Sequence, residues 1–587
     1  MLNDLPSWNL EDLYVSEKSE KLLSDISLIN LNTEKFITQY KNKDLNTLKY
    51  EELSNSINLY ENIFNLLGRI LSHASLLFAT NMNNSTLGQH YQKMRELYSE
   101  ISSKLIFFEL NLMNLKEKKI NEIIKENKIP KWKPWLRKIF LRKPYQLSNE
   151  LEQYIAEKGA TGRGAWVRLF DESSADLRFN FREKQLTENE VLNLLSDKDA
   201  TIRKDAGQSL SETLKENLRS RSLIFNTISK DKFIEDKKRG FQFPISSRNL
   251  DNDVENEVVE ALAKSVTSKF GELSHRYYKI KAEWFEVEKL NWWDRNAPLP
   301  QKPEKIWKWH DAKNLVLDSF SELSPKFAEI AEMFFEHNWI DAKLKNDKDS
   351  GAFAHPTVPD VHPYILMNFN GKPRDVMTLA HELGHGVHQF MAKDKGYFLS
   401  DTPLTLAETA SVFGEMLVFN KLLSKTKNNE ERKFMIAQKV EDMLNTVVRQ
   451  IAFHNFETAF HDARKVNELT PNEISDIWMK TQKESLGESI NLDESYRPLW
   501  AYIPHFIHSP FYVYAYAFGD CLVNSLWQVW QNDRKNFIHN YEKLLQSGGT
   551  YHHKEALGNF GLDASKSEFW NNGLNTISKL IDELHND

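Results

Sequence analysis

The sequence predicts a mainly α protein with one small β-sheet beside a single chemistry-bearing helix. Three observations predict it. Only 21 Gly and 18 Pro interrupt 587 residues, so long segments can keep a helical period. Apolar residues recur at three- and four-residue spacing through most of the chain. Between Ser350 and Gly371 that texture gives way to short apolar runs bounded by Pro, Asp, His and Gly.

In chain order, the first helical region runs from about Leu22 to Lys125, where Leu87, Tyr91, Met94, Tyr98 and Ile101 mark a buried stripe. The basic and aromatic run Pro130 to Lys138 reads as a solvated helix start or an edge between lobes. Leu177, Phe179 and Phe181 alternate with Arg178, Asn180 and Arg182, the period of a short half-buried strand. Glu183-Lys184-Gln185 reads as a turn after it. Thr187 and Glu190 stand at capping-box spacing ahead of Val191. A boundary near 190 divides the chain into an N-terminal helical domain, residues 1–190, and a second domain, 191–587. Helical period resumes from Asp199. Gly351 to Ala354 and Tyr364 to Phe369 read as two strands of a hairpin or small sheet, and a helix opens at Pro373 with Pro in its first turn.

Composition narrows the function classes. At 587 residues more than one domain or lobe is expected. Hydrophobic residues make up 41% and charged residues 27%, ordinary values for a folded soluble protein. A net charge of -7 argues against a nucleic-acid partner that needs a basic face. The start Met1-Leu2-Asn3-Asp4 lacks the basic and apolar blocks of a secretory signal, and no run of about twenty uncharged apolar residues suggests a membrane span. Cys521 is the only cysteine, which excludes intramolecular disulfides and makes a reducing cytoplasm the expected location.

Nine of the 18 histidines fall between His355 and His508, about a quarter of the chain. On the helix from Pro373, His381 and His385 lie one turn apart and project to one side. Two imidazoles at that spacing suit a tetrahedral zinc ion, with Glu382 beside the open position as general base. Gly384 leaves the helix surface bare for another backbone to approach. A third histidine ligand six residues on would need Gly at position 388 and His at position 391, whereas the chain has His388 and Met391. A Glu from a following helix is the other solution. Glu408 stands among small and apolar neighbours, an expensive place for a charge without a partner or a metal. Glu415, two turns later, would orient a ligand histidine; the reverse assignment of the two glutamates stays open. His388 is expected to line the pocket or support the ligands, while His355 and His362 flank the strands and are expected either to line a channel or to be structural. His454 is read as structural, and His552-His553 as a solvated loop.

Three blocks together carry a resemblance: Pro363 to Phe369, Thr378 to His388, and Leu406 to Glu415. They resemble the oligoendopeptidase F branch of the thimet oligopeptidase-like zinc peptidases. Downstream, Ile503-Pro504-His505-Phe506 and Pro510 to Tyr516 are similar to that branch's substrate-side segment. The resemblance implies a two-lobed helical clam, a zincin with a deep substrate channel, that acts as an endopeptidase on short unstructured peptides. It further implies His381, His385 and Glu408 as ligands of one Zn2+, Glu382 as the base, and His505 with one or more tyrosines at the transition state. The chain departs from the thimet branch at Ile507-His508-Ser509-Pro510, where that branch carries a Gly-rich loop. Tyr512 and Tyr516 share a helical face and are preferred over Tyr514. The strand with Gly351, Ala352 and Phe353 is expected to pair with extended substrate. Two alternatives differ in class: a carboxypeptidase or dipeptidyl carboxypeptidase on the same scaffold, and a catalytically silent peptide-binding protein. Oligomeric state is not predicted.

Overall fold

The computed structural model describes residues 5–299 and 306–586. Helices dominate, as the sparse Gly and Pro content predicts. Among the described residues the strands are β1 (Phe179–Phe181), β2 (Lys184–Leu186), β3 (Leu290–Asn291), β4 (Ile340–Asp341), β5 (Phe353–His355), β6 (Tyr364–Leu366) and β7 (Ile490–Asn491). No helix among those residues is long and apolar enough to cross a membrane.

The chain forms two compact units that interleave along the sequence. The first comprises Met1–Lys143, Glu304–Lys425 and Val529–Gly561; the second comprises Pro144–Pro303, Thr426–Gln528 and Leu562–Asp587. Neither unit coincides with residues 1–190 or 191–587.

In the first unit, three strands lie in the order β4-β6-β5. β6 pairs parallel with β4 and antiparallel with β5, with Ala354 opposite Ile365. Tyr364, Ile365 and Leu366 are fully buried, as befits a central strand. The helix Pro373–Ala392 packs on this sheet and begins where the sequence places it. Pro373 occupies the first turn, and Asp375 Oδ2 accepts the N–H of Lys372 at 3.0 Å and of Asn370 at 2.7 Å. Val376, Leu379, Ala380, Leu383 and Val387 form its buried stripe. A separate aromatic cluster joins Phe36, Tyr60, Phe108, Trp135 and Phe398, with the Trp135 and Phe398 rings stacked 4.7 Å apart. The run Pro130 to Lys138 therefore differs from a solvated helix start. Trp132 and Trp135 are buried, and Trp132 Nε1 donates to Glu61 Oε2 at 3.1 Å.

In the second unit, a 40-residue helix spans Ala200–Arg239, capped by Asp199 and ended by Gly240 at φ +85°. Phe225 on it stacks against Phe460 at 3.8 Å, with Phe506 and Trp500 around them. The strand read around Phe179 is present, and Thr187 and Glu190 form the expected capping box. Lys184 and Gln185, read as a turn, instead form β2 of a hairpin with β1. The reversal occurs earlier because Arg182 takes φ +54°, a left-handed geometry that its side chain does not advertise.

Candidate metal centre

Two helices build the site, and two glycines let them approach. A Cβ at Gly384 would lie 2.4 Å from the Ala410 carbonyl oxygen and 2.6 Å from Ser411 Cα. Gly414 likewise faces the Ala380 carbonyl, at 3.1 Å. The bare surface expected at Gly384 is thus occupied by the backbone that carries Glu408. That backbone is not one continuous helix, as the sequence suggests. A single turn, Leu404–Ala407, ends at Glu408, and a second helix runs Ser411–Lys425. The break is tied by the Tyr541 hydroxyl, which donates to the Thr409 carbonyl at 2.8 Å.

The result brings three donor atoms together. His381 Nε2 and His385 Nε2 are 3.1 Å apart, and Glu408 Oε2 lies 3.5 Å from the first and 3.4 Å from the second. Donors about 2.0–2.1 Å from a tetrahedral ion stand roughly 3.3–3.4 Å from one another. The three edges match that triangle, so these residues fit one zinc ion.

Around the triangle, His381 and Glu408 each have a support. Glu415 Oε1 lies 2.5 Å from His381 Nδ1, so the ring donates there and leaves Nε2 facing the other donors. Burial alone would lower the pKa of His381, but the hydrogen bond and charge of Glu415, with Glu408 and Glu382, lift it to about 9. Burial likewise opposes charge on Glu408; the His385 hydrogen bond and charge, then His381 and the Ser411 hydroxyl, pull its pKa to about 2. Ser411 Oγ donates to Glu408 Oε2 at 2.6 Å. Sequence reasoning missed Ser411, although a hydroxyl three residues after a buried Glu was the available signal. Glu382 is buried, which raises its pKa, with His381 and His385 pulling the other way.

The remaining residues of the first unit fall into place around this centre. His388 is buried and sits 3.3 Å from Thr402 Oγ1 through Nε2; burial, then the neighbouring His385, holds its pKa near 3. β5 is an edge strand shifted two residues from the expected segment: Phe353 lies in it, while Gly351 and Ala352 precede it. Gly351 N–H donates to Asp349 Oδ1 and its carbonyl accepts from Asn368 Nδ2. Ile365 and Met367 donate toward β4, so antiparallel alternation turns the backbone groups of Ala354 away from β6. The Ala354 carbonyl accepts from Gln389 Nε2 at 3.2 Å. His355 lies 2.8 Å from Ser72 Oγ and His362 stacks on Trp339, so both are held by packing. His553, read as solvated, is buried at the head of a short helix.

His505, Tyr512 and Tyr516 lie in the second unit and come together there. His505 Nε2 is 3.2 Å from Tyr516 Oη, and the Tyr512 and Tyr516 rings are 5.4 Å apart. The helix expected to carry both tyrosines starts only at Tyr514, leaving Tyr512 on the turn before it. Tyr514 is fully buried and its hydroxyl accepts from Asn252 Nδ2 at 2.8 Å. Arg163 Nη2 donates to the carbonyls of Ile507 and His508, and burial lowers the pKa of His505.

Comparison with known proteins places these features in a family. The model of peptidase family M3 matches residues 193–576, and that of oligopeptidase F matches residues 111–179. An oligoendopeptidase F homolog of Borreliella burgdorferi is 27% identical, over 99% of this chain and 98% of its own length. Oligopeptidase PepF of Bacillus subtilis is 24% identical over 98% of this chain and 86% of its length. Among solved structures, one from Chlamydophila abortus matches with TM-score 0.88 and 23% identity, covering 99% of this chain and 98% of that one. Oligoendopeptidase-F of Enterococcus faecium matches with TM-score 0.72 and 21% identity, covering 97% and 98%.

Proposed function

The chain belongs to peptidase family M3, in its oligoendopeptidase F branch, and from that premise we propose that it is a zinc-dependent endopeptidase of short unstructured peptides. The observation that carries the reading is the donor triangle of His381, His385 and Glu408, with edges of 3.1, 3.5 and 3.4 Å. Held by His381, His385 and Glu408, a zinc ion would supply Lewis acidity toward a substrate carbonyl and would bring the pKa of a water toward neutrality.

The chain's own residues supply the rest. Glu382 takes the proton of the attacking water and passes it to the leaving amine. Its burial suits that work, because burial raises the pKa of the carboxyl and so makes it a stronger base. Glu415 fixes the His381 ring. His505, Tyr512 and Tyr516 donate to the oxyanion or hold the substrate. The β5 edge takes extended substrate through main-chain hydrogen bonds, which recognise a peptide without reading its side chains. Since Gly351 already uses both its backbone groups and Gln389 occupies the Ala354 carbonyl, that pairing centres on Ala352 and the N–H of Ala354.

The test combines metal analysis with product mapping. The purified chain should hold one zinc ion and cleave quenched peptides blocked at both ends, while His381→Ala should lose both properties. Cleavage confined to peptides with a free C-terminus would replace this reading with a carboxypeptidase. Metal binding without any hydrolysis would replace it with a peptide-binding protein.

A further inference from the structure

Outside the metal centre, one buried carboxyl has no part in the chemistry described so far. Glu457 lies mid-way along the helix Val448–Val466, and its side chain is wholly buried. Phe453, Phe456 and Phe460 stand on the neighbouring face of the same helix, and a carboxyl shut off from water is costly. His454, Glu457 and His461 follow one another at i, i+3 and i+7, which puts them on one face. They are not among the residue groups whose ligand atoms converge on a metal position within the described residues.

Their common neighbour is Phe511. Its ring centroid lies 4.7 Å from that of His461 and 6.4 Å from that of His454. Its N–H donates to Glu457 Oε1 at 2.9 Å. The backbone of Phe511 takes φ +61°, a left-handed conformation that a bulky L-residue avoids unless its surroundings impose it. This is the residue immediately before Tyr512. A second clamp sits beside it: Arg248 Nε donates to the Pro510 carbonyl at 3.3 Å, and its guanidinium lies 5.9 Å from the centre of the Tyr512 ring. Tyr512 N–H in turn donates to Ser509 O at 3.0 Å. The turn that delivers Tyr512 toward Tyr516 and His505 is therefore pinned through main-chain atoms, and its innermost pin is the Glu457 carboxyl.

We propose that Glu457 is a positioning residue, which accepts the Phe511 N–H to hold the left-handed turn that sets Tyr512 against Tyr516 and His505. It acts through the tyrosines and touches no reacting atom, so it rests on the role given above to Tyr512 and Tyr516. Burial pushes the Glu457 pKa up to about 8, with the Phe511 N–H, Arg248 and Lys232 pulling it down. The group is thus a neutral acid near pH 7, and a Gln amide offers the same acceptor in the same shape.

The experiment compares Glu457→Gln, Glu457→Leu, Tyr512→Phe, Tyr516→Phe and the doubles of Glu457→Leu with each tyrosine change, all in the zinc-loaded full chain. Gln should keep kcat within about 3-fold of the parent, while Leu should lower kcat about 10- to 100-fold, as expected for a displaced group. KM and zinc content should hold nearly constant. The doubles should lose little beyond the tyrosine variants alone, because both changes remove one function. Where Leu does not fold, Glu457→Asp, whose acceptor is withdrawn by one methylene, should show the same kcat-only loss. Parental kcat in the Leu or Asp variant overturns the proposal, as do losses that multiply with those of the tyrosines. Parental kcat in both Tyr→Phe variants overturns the tyrosine role itself, and Glu457 falls with it.

Discussion

The metal centre and the His505–tyrosine group are built on opposite plans. His381 and His385 stand on regular helix, one turn apart, and their geometry follows from the helical repeat. His381 and Glu408 each have a partner: Glu415 on His381, Ser411 and His385 on Glu408. Tyr512 stands on irregular backbone, after a left-handed Phe511 and before the helix starts. Its placement depends on hydrogen bonds to main-chain atoms from side chains distant in sequence. Chemistry written into a periodic element survives small changes around it; chemistry hung on a turn depends on whatever holds the turn.

The contrast gives graded expectations. The largest effect is at the third ligand: Glu408→Ala should remove zinc and bring peptide hydrolysis below detection, read by metal analysis and a quenched-peptide assay. Retained zinc would transfer the ligand role to Glu415. In the tyrosine group, Tyr516→Phe should keep zinc and lower kcat about 10²- to 10³-fold, the usual cost of one oxyanion donor. An unchanged kcat would remove the hydroxyl from the reaction. Glu415→Ala should weaken zinc binding about 10- to 100-fold, measured by chelator competition. An unchanged affinity would show that the His381 ring is held by packing alone.

Much of the candidate metal centre was legible because its determinants are local or chemical. Spacing placed the two histidines, the cost of a lone charge among apolar residues singled out Glu408, and the missing side chain at Gly384 announced a close backbone. What escaped was the break after Ala407, since its closure depends on the distant Tyr541 hydroxyl. Strand β5 escaped by two residues because Asp349 and Asn368 hold Gly351 in a turn. Phe511 escaped because nothing in a Phe side chain signals positive φ. Glu457 was findable: it is a carboxyl in a helix rich in Phe, and the cost of burying a carboxyl is the argument that found Glu408.

The smallest expected effect concerns acid. Burial lowers the pKa of His73, His355 and His454 to about 4 and of His461 to about 3, from an unfolded value of 6.5. Below 6.5 the unfolded chain binds protons that these buried rings refuse, so stability falls as pH drops from 6.5 toward 3. Glu457 runs the other way, losing stability as pH rises from about 4.5 to 8. Thermal melts of the parent should therefore decline toward pH 4, and Glu457→Gln should gain on the parent as pH rises from about 4.5, levelling off past about 8. A flat acid limb would mean that the rings reach solvent.

The most direct test of the metal centre is Glu382→Gln, which keeps the shape of the helix and removes the base. The zinc content should remain one ion per chain while turnover of a doubly blocked peptide falls about 10²- to 10⁴-fold, the range of general acid–base catalysis. Turnover within a few-fold of the parent, with zinc still bound, would contradict the assignment of Glu382 as the base.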